Sequence, residues 1–521
     1  MLTPSRSLSL LAAGTLMLLG SSCSNSDGSV SARPSMRHTQ APGLAYPSTE
    51  EYRSWEESHF LDPRVQPLST FAIDVDTASY SIARSFLNDD ALPPEASVRV
   101  EEYLNYFDYD YPDAQDGHPL AVSVEMSVCP WEPDHDLLAI GLQGQSFTTK
   151  EVPPSNLVFL IDVSGSMNSD DKLPLLVNSM RLLVEQLRSQ DSVAIVTYSG
   201  RAEIVLEPTP GNHKSEILRA LDRLDAGGRT AGGPGLRMAY EVAEEHFDRS
   251  ANTRILLATD GDFNLGMNSD EDLTAYVSEK RRSGVYLSVL GFGSGNFKDA
   301  KMETLADHGD GNYSYIDDIL EGQRVLVGEF SGTLFTVAKD VKLQIEFNPA
   351  RVASYRLIGY DNRLLADRDF NDDAKDAGEL GSGQQVTALY EIVPAGPSRS
   401  VDPLKYQDQG PRPTGELLTW KVRYQKPGSA AGSFLLEHGV SPEEVFAEQP
   451  SANWRFASSV AECALVLKGS IHREGAALRS AITRARGSLG TDPQGKRAEF
   501  VRLMEKAALL DRSWAPASAR R

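Results

Sequence analysis

The sequence predicts an α/β fold: a doubly wound domain inserted in a β-sandwich-like region, with helical segments flanking it. Three observations predict this. Between residues 155 and 325, short apolar runs of strand length alternate with helical periodicities, the pattern of a parallel sheet covered on both faces. Just before, residues 120–129 and 136–142 alternate apolar and polar positions with period two, as half-buried strands do. A lone hairpin is only marginally stable. Its partners are therefore expected in the β-rich runs 341–347, 351–359, 385–393 and 417–424, which places the α/β domain between the second and third strands of the sandwich.

Taken in order, the chain opens with a targeting pattern. Arg6 supplies positive charge, and residues 8–19 form an apolar stretch too short to span a bilayer. Leu18-Leu19-Gly20-Ser21-Ser22-Cys23 follows. Small residues before a lone cysteine resemble a bacterial lipoprotein signal, although Gly20 stands where that signal usually has leucine. The resemblance implies cleavage before Cys23 and lipidation of it, making residues 1–23 the signal; a plain secretory signal cleaved nearby is the alternative. Either exports the mature chain. Residues 24–46, rich in Ser, Pro and Gly, read as a disordered tether. Residues 47–112 form a small aromatic-rich module. Within it, 71–76 read as a strand, Thr77 or Ser79 as the cap of a helix through Tyr80, Ile82, Ala83 and Phe86, and 98–107 as a second helix. Asp74, Asp76 and Thr77 form a loop with exposed carboxylates and a helix cap rather than a metal cluster. Residues 113–150 hold the period-two hairpin.

The doubly wound, Rossmann-like domain spans 155–325. Its strands are expected at 157–161, 193–198, 203–206, 254–259, 285–291 and 312–316, and its helices near 173–188, 214–224, 234–249, 270–283 and 299–308. The third strand follows the second too closely for a crossover, so it is an antiparallel edge strand. Leu157, Val158, Phe159, Leu160 and Ile161 read as a strand buried on both faces. Asp162, Ser164 and Ser166 follow in a loop, and then a helix through Leu173, Leu176, Val177, Met180 and Val184. Ligands of open α/β sheets bind at the carboxyl ends of strands. Three alternate short oxygen side chains at such an end suit a hard cation, Mg²⁺ or Mn²⁺, better than zinc; the competing reading is a polar turn that caps the helix.

Two further stretches bear on that choice: the glycine-rich Gly227-Gly228-Arg229-Thr230-Ala231-Gly232-Gly233, and Ile255-Leu256-Leu257-Ala258-Thr259-Asp260-Gly261-Asp262. With the Asp-x-Ser-x-Ser loop they resemble the von Willebrand factor type A domain and its metal-ion-dependent adhesion site. The resemblance implies that Asp162, Ser164, Ser166, Thr230 and Asp260 converge on one divalent cation, Mg²⁺ or alternatively Mn²⁺ or Ca²⁺. It also implies that the open position of the cation takes a carboxylate from a partner protein. The flanking regions resemble those of bacterial lipoproteins with a central type A domain, an amino-terminal von Willebrand-associated module and a carboxy-terminal domain of unknown function. An adhesion or assembly protein of the bacterial cell envelope, lipid-anchored to a membrane and facing the periplasm or exterior, is the function this implies.

A metal-dependent hydrolase or other envelope enzyme is the alternative. Catalysis needs a base or nucleophile in reach. The nine histidines are scattered away from the motifs and no Gly-x-Ser-x-Gly elbow occurs. Gly291-Phe292-Gly293-Ser294-Gly295 lacks the third glycine of a dinucleotide loop and there is no P-loop lysine, so it reads as a loop on the site rim. Asp262 reads as a solvated loop carboxylate. Beyond the domain, 330–447 are β-rich and contain an acidic stretch, 361–379, read as a solvated loop. Residues 450–513 are helical, with Phe456, Val460, Ala464 and Leu467 on one face and Phe500, Leu503, Met504 and Ala507 on another. A net charge of −22 argues against nucleic acid as a partner. Cys129 and Cys463 read as buried free thiols.

Overall fold

The computed structural model describes residues 50–511, apart from 115–116, 149–150, 229–231, 249, 262–269, 296, 329–334, 397–414 and 428–431. Cys23, the tether, Thr230 and Asp262 therefore lie outside the described residues. In chain order the amino-terminal module holds β1 (Leu68–Ala72), α1 (Ala78–Asn88) and α2 (Val100–Asn105). The hairpin β2 (Leu120–Val128) and β3 (Asp136–Gly144) follows.

The type A region comes next: β4 (Ser155–Asp162), α3 (Leu173–Gln186), β5 (Ser192–Tyr198), β6 (Ala202–Pro210), α4 (Lys214–Leu221), α5 (Gly232–Glu245), β7 (Asn252–Thr259), α6 (Asp270–Arg281), β8 (Val285–Phe292), α7 (Asp299–His308) and β9 (Tyr313–Ile316). Its six strands lie in the order β6-β5-β4-β7-β8-β9. All pairs are parallel except β6, which runs antiparallel to β5 at the edge. This is the expected doubly wound sheet. β4 is central and buried on both faces, which explains its unbroken apolar run. α3 presents Leu176, Met180, Leu183 and Val184 to one face of the sheet, at helical spacing. α5 covers the other face with Leu236, Ala239, Tyr240 and Ala243.

The remaining strands are β10 (Thr336–Phe347), β11 (Val352–Ile358), β12 (Gly378–Gly381), β13 (Gln385–Pro394), β14 (Leu418–Gln425) and β15 (Ser433–Val440). They complete a sandwich. One sheet runs β1-β10-β14-β15 with β12 also on β10, and the other runs β11-β13-β3-β2. Phe71, Leu138, Ile140, Leu343, Ile345 and Tyr390 belong to the single core of this sandwich. Three helices, α8 (Ala452–Lys468), α9 (Leu478–Arg486) and α10 (Lys496–Leu510), pack with α1 and α2 into a separate core. Phe107, Phe456 and Phe500 meet edge to face there at 5.1–5.6 Å. Among the described residues no helix is long and apolar enough to cross a membrane.

Several expectations need correction. The strand placed at 71–76 is Leu68–Ala72, and it joins the sandwich by pairing antiparallel with β10, Phe71 opposite Leu343. The type A region is therefore inserted between the third and fourth strands of the sandwich, not the second and third. β15 was not expected at all. The Asp74 and Asp76 carboxylates are buried rather than exposed. Arg363 lies 3.4 Å from Asp74 and 3.5 Å from Asp76, and Asp76 accepts the Tyr313 N–H at 2.8 Å. Burial, then repulsion from Asp74, holds the Asp76 carboxyl well above its ordinary range. Thr77 stands at the start of α1, but its hydroxyl accepts from Arg324 at 2.7 Å and makes no cap bond. The acidic stretch is partly built in: Asp361 pairs with Lys468 at 2.8 Å, and Asp367 accepts from the Thr70 hydroxyl at 2.9 Å.

The amino-terminal module is shared between neighbours. On α1, Ala78 and Ile82 enter the type A core, while Tyr80, Ala83 and Leu87 enter the helical core. Two buried arginines reinforce the join. Arg84 reaches Asp317 at 2.5 Å and Glu321 at 2.7 Å. Arg99 reaches Asp299 at 2.6 Å and also pairs with Glu102. Removing one partner of a buried pair leaves a charge without water or counter-charge. Arg99→Met should therefore destabilise the protein by about 3–5 kcal/mol, read by urea denaturation, and adding Asp299→Asn should recover part of the loss. A change under about 1 kcal/mol for Arg99→Met, the range of exposed pairs, would show that the pair does not hold the module.

Candidate metal centre

The parallel pairing of β4 with β5 and β7 sets the site. Ile161 lies in register with Ala258, and Asp162 with Tyr198, so Asp162 and Asp260 leave neighbouring strands at the same edge of the sheet. Asp162 and Asp260 are 0% exposed and Ser164 1%, whereas Ser166 faces solvent. Asp162 accepts the Ser164 N–H at 2.8 Å, an Asx turn that folds the loop back over the strand end. The Ser164 and Ser166 hydroxyl oxygens lie 3.0 Å apart. The loop does not cap α3: Ser166 sits in a short 3₁₀ turn, Gly165–Asn168, and α3 begins at Leu173.

The glycine-rich loop is laced to the same place. Gly227 N–H donates to Val163 O at 2.8 Å, and Gly165 N–H to Gly228 O at 3.2 Å. Ser199 Oγ donates to Gly227 O at 2.5 Å. Gly228 has φ +86°, a conformation that favours glycine, and a side chain there would also displace the Ser199 hydroxyl. Thr230 lies two residues further on, outside the described residues. On the other side, Gly261 N–H donates to Thr259 Oγ1 at 3.2 Å, shaping the turn that carries Asp260.

Electrostatics single out the two carboxylates. Burial raises the Asp162 carboxyl to about 6, and the Asp260 charge adds to the rise, while hydrogen bonds from Ser164 oppose it. Lys172 enters here, a residue the sequence reading passed over. It is 7% exposed, and its Nζ donates to Asp260 Oδ2 at 3.0 Å. One signal was available. Lys172 occupies the N-cap of α3, the positive end of the helix dipole, where a basic residue is unfavourable unless something compensates.

Comparison with known proteins identifies the regions of the chain. Residues 156–324 match the von Willebrand factor type A domain, residues 46–139 a von Willebrand factor module, and residues 332–510 the carboxy-terminal domain described as "Uncharacterized protein YfbK, C-terminal". The chain is 43% identical over 479 residues to "Uncharacterized protein YfbK" of Escherichia coli (strain K12), covering 90% of this chain and 83% of that protein. The chain belongs to the YfbK family. More distant similarity is confined to part of the chain. "Uncharacterized protein sll0103" of Synechocystis is 33% identical over 168 residues, covering 32% of this chain and 38% of that one. Human inter-alpha-trypsin inhibitor heavy chain H3 is 28% identical over 176 residues, covering 32% and 20%. A solved structure, the von Willebrand factor type A protein from Catenulispora acidiphila, covers 75% of this chain and 91% of that chain at 15% identity, with a TM-score of 0.42.

Type A domains commonly mediate protein interaction, often through a divalent metal, and the donors in this YfbK-family chain fit such an ion. They are carboxylate and hydroxyl oxygens, the hard ligands that Mg²⁺ and Ca²⁺ take. Among the described residues no three His, Cys, Asp or Glu side chains converge on a metal position. Of the five residues named from sequence, Asp162, Ser164, Ser166 and Asp260 lie at this edge of the sheet, and Thr230 is outside the described residues. A cavity of about 460 Å³ beside the 3₁₀ turn, lined by Met167, Leu173, Val177 and Arg181 among others, gives the rim a concave neighbour.

The raised Asp162 carboxyl has a consequence for stability. Its folded value lies above the unfolded one of about 4, so stability falls as pH rises from about 4 to about 6 and stays lowered above that. Asp162→Asn keeps an acceptor for the Ser164 N–H without the charge. In metal-free buffer at pH 7.5 it should gain about 1 kcal/mol in thermal or urea unfolding, and the gain should vanish near pH 4. A loss of stability at pH 7.5 would contradict the assignment.

Proposed function

We propose that the chain is an exported, lipid-anchored adhesion or assembly protein of the bacterial cell envelope. It binds an acidic group on a partner protein through a divalent cation, Mg²⁺ or alternatively Mn²⁺ or Ca²⁺. Asp162, Ser164, Ser166, Thr230 and Asp260 would hold the cation, and the bound ion supplies an open coordination position for a partner carboxylate. One observation carries the reading: two fully buried carboxylates and a pair of touching hydroxyls meet at the carboxyl edge of a type A sheet. Neutral hydroxyls among the donors leave the ion electrophilic, which favours an anionic ligand. The export and anchoring parts rest on residues 1–46, read as a lipoprotein signal ending at Cys23 and a tether that stands the folded part off the membrane.

Two experiments test it. Thr230→Ala removes one hydroxyl donor and should weaken partner capture by roughly 2–3 kcal/mol, about 30- to 150-fold, while EDTA does at least as much. The contact is short, so moderate salt should leave it largely intact. A partner captured equally well in EDTA and by Thr230→Ala would place the interface elsewhere. Cys23→Ser should move the protein from membranes to soluble fractions. A mature chain beginning beyond Cys23, or a variant that stays with membranes, would end the lipoprotein reading.

A further inference from the structure

We propose that Lys172 is a built-in counter-cation of the metal centre: its ammonium holds Asp260 in the metal-free protein and leaves that carboxylate when a divalent cation binds. The inference rests on the metal-site reading above and adds a competitor inside the protein.

The lysine is seated rather than stray. Its Nζ lies 3.0 Å from Asp260 Oδ2, and the pair is 8% and 0% exposed. Its stem runs across Gly293, where a side chain would collide with Lys172 Cγ and Cε. Gly293 has φ +74°, and its carbonyl accepts from the Tyr315 hydroxyl at 2.9 Å. The missing side chain at Gly293 thus leaves room for the lysine stem. Lys172 also opens α3, against the helix dipole. The Asp260 carboxylate compensates a position that is otherwise unfavourable for a cation.

Charge counting gives the competition. Among the described residues, Asp162 and Asp260 bring two negative charges to this edge, and the Lys172 ammonium offsets one of them. A divalent cation held by Asp260 would share that carboxylate with an ammonium in a poorly solvated site, where like charges repel strongly. Displacement is the way out. An ammonium on a four-carbon stem gains hydration once it reaches the surface, and the neighbouring Asp170 is exposed, with Asp171 partly so. These carboxylates can receive the ammonium at the surface. Metal affinity in the native protein is therefore set below what the oxygen donors alone would give.

The test is Mg²⁺ calorimetry on the full chain with Lys172→Met, which keeps an apolar stem over Gly293, and with Lys172→Gln as a second variant. Both should bind Mg²⁺ at least about tenfold more tightly than the native protein. Both should also gain more in melting temperature on adding Mg²⁺. The native protein gives an independent reading: reductive methylation mapped by mass spectrometry should find Lys172 protected without Mg²⁺ and labelled with it. Equal or weaker Mg²⁺ affinity in the variants, or a Lys172 that stays protected at saturating Mg²⁺, overturns the inference while leaving the metal site standing. No Mg²⁺ binding by native protein or variants overturns the metal reading and this inference with it.

Discussion

The parallel hydrogen bonding of β4 to both β5 and β7 is the constraint on which the site depends. A strand hydrogen-bonded on both sides and close-packed on both faces is held in one register by its neighbours and by the shape of the core around it. The register therefore holds Asp162 and Asp260 at one edge of the sheet, both buried from solvent. Burial of these carboxylates carries an electrostatic cost, visible in the Asp162 carboxyl, which loss of solvent raises first and the Asp260 charge raises further. Positive charge is what offsets such a cost. Lys172 supplies one unit, and a divalent cation would supply two.

The type A region is not a bead on a string. Its core is completed by Ala78 and Ile82 of α1, and its Asp299, Asp317 and Glu321 are partnered by arginines of the amino-terminal module. The same Arg84 lies 3.3 Å from Glu499 of α10, so one guanidinium touches three parts of the chain. The region meets the sandwich through Asp310, paired with Lys339 of β10, and through Arg281, paired with Asp376. Cutting the region out at its sequence boundaries would leave several buried carboxylates facing solvent without their partners. The site rim thus belongs to a continuous body rather than a swinging head.

Much of this was legible where chemistry is local. Five apolar residues followed by Asp162-Val163-Ser164-Gly165-Ser166 declare a buried strand and a polar loop at its carboxyl end. The spacing of Leu173, Leu176, Met180 and Val184 declares α3. Both signals are short-range periodicities, and both elements formed as read, within a residue or two at their ends. β1 and β15 were less legible, because a strand's existence there depends on a distant partner, β10 for one and β14 for the other. The carboxylates of Asp74 and Asp76 were read as exposed for the same reason: their counter-charge, Arg363, lies nearly three hundred residues away.

Sequence by itself determined the order of strands and helices in the type A region, the identity of the oxygen donors and the family resemblance, since each is written in contiguous motifs and their periods. Tertiary structure alone decided the burial of those donors, the sharing of α1 between two cores and the placement of Lys172. A lysine before an amphipathic helix carries no periodic signature. Its position follows from the turn at Gly293 and the carboxylate at Asp260, which come from two other strands. Charge balance in a buried site is a sum over elements distant in sequence, and only the folded chain performs that sum.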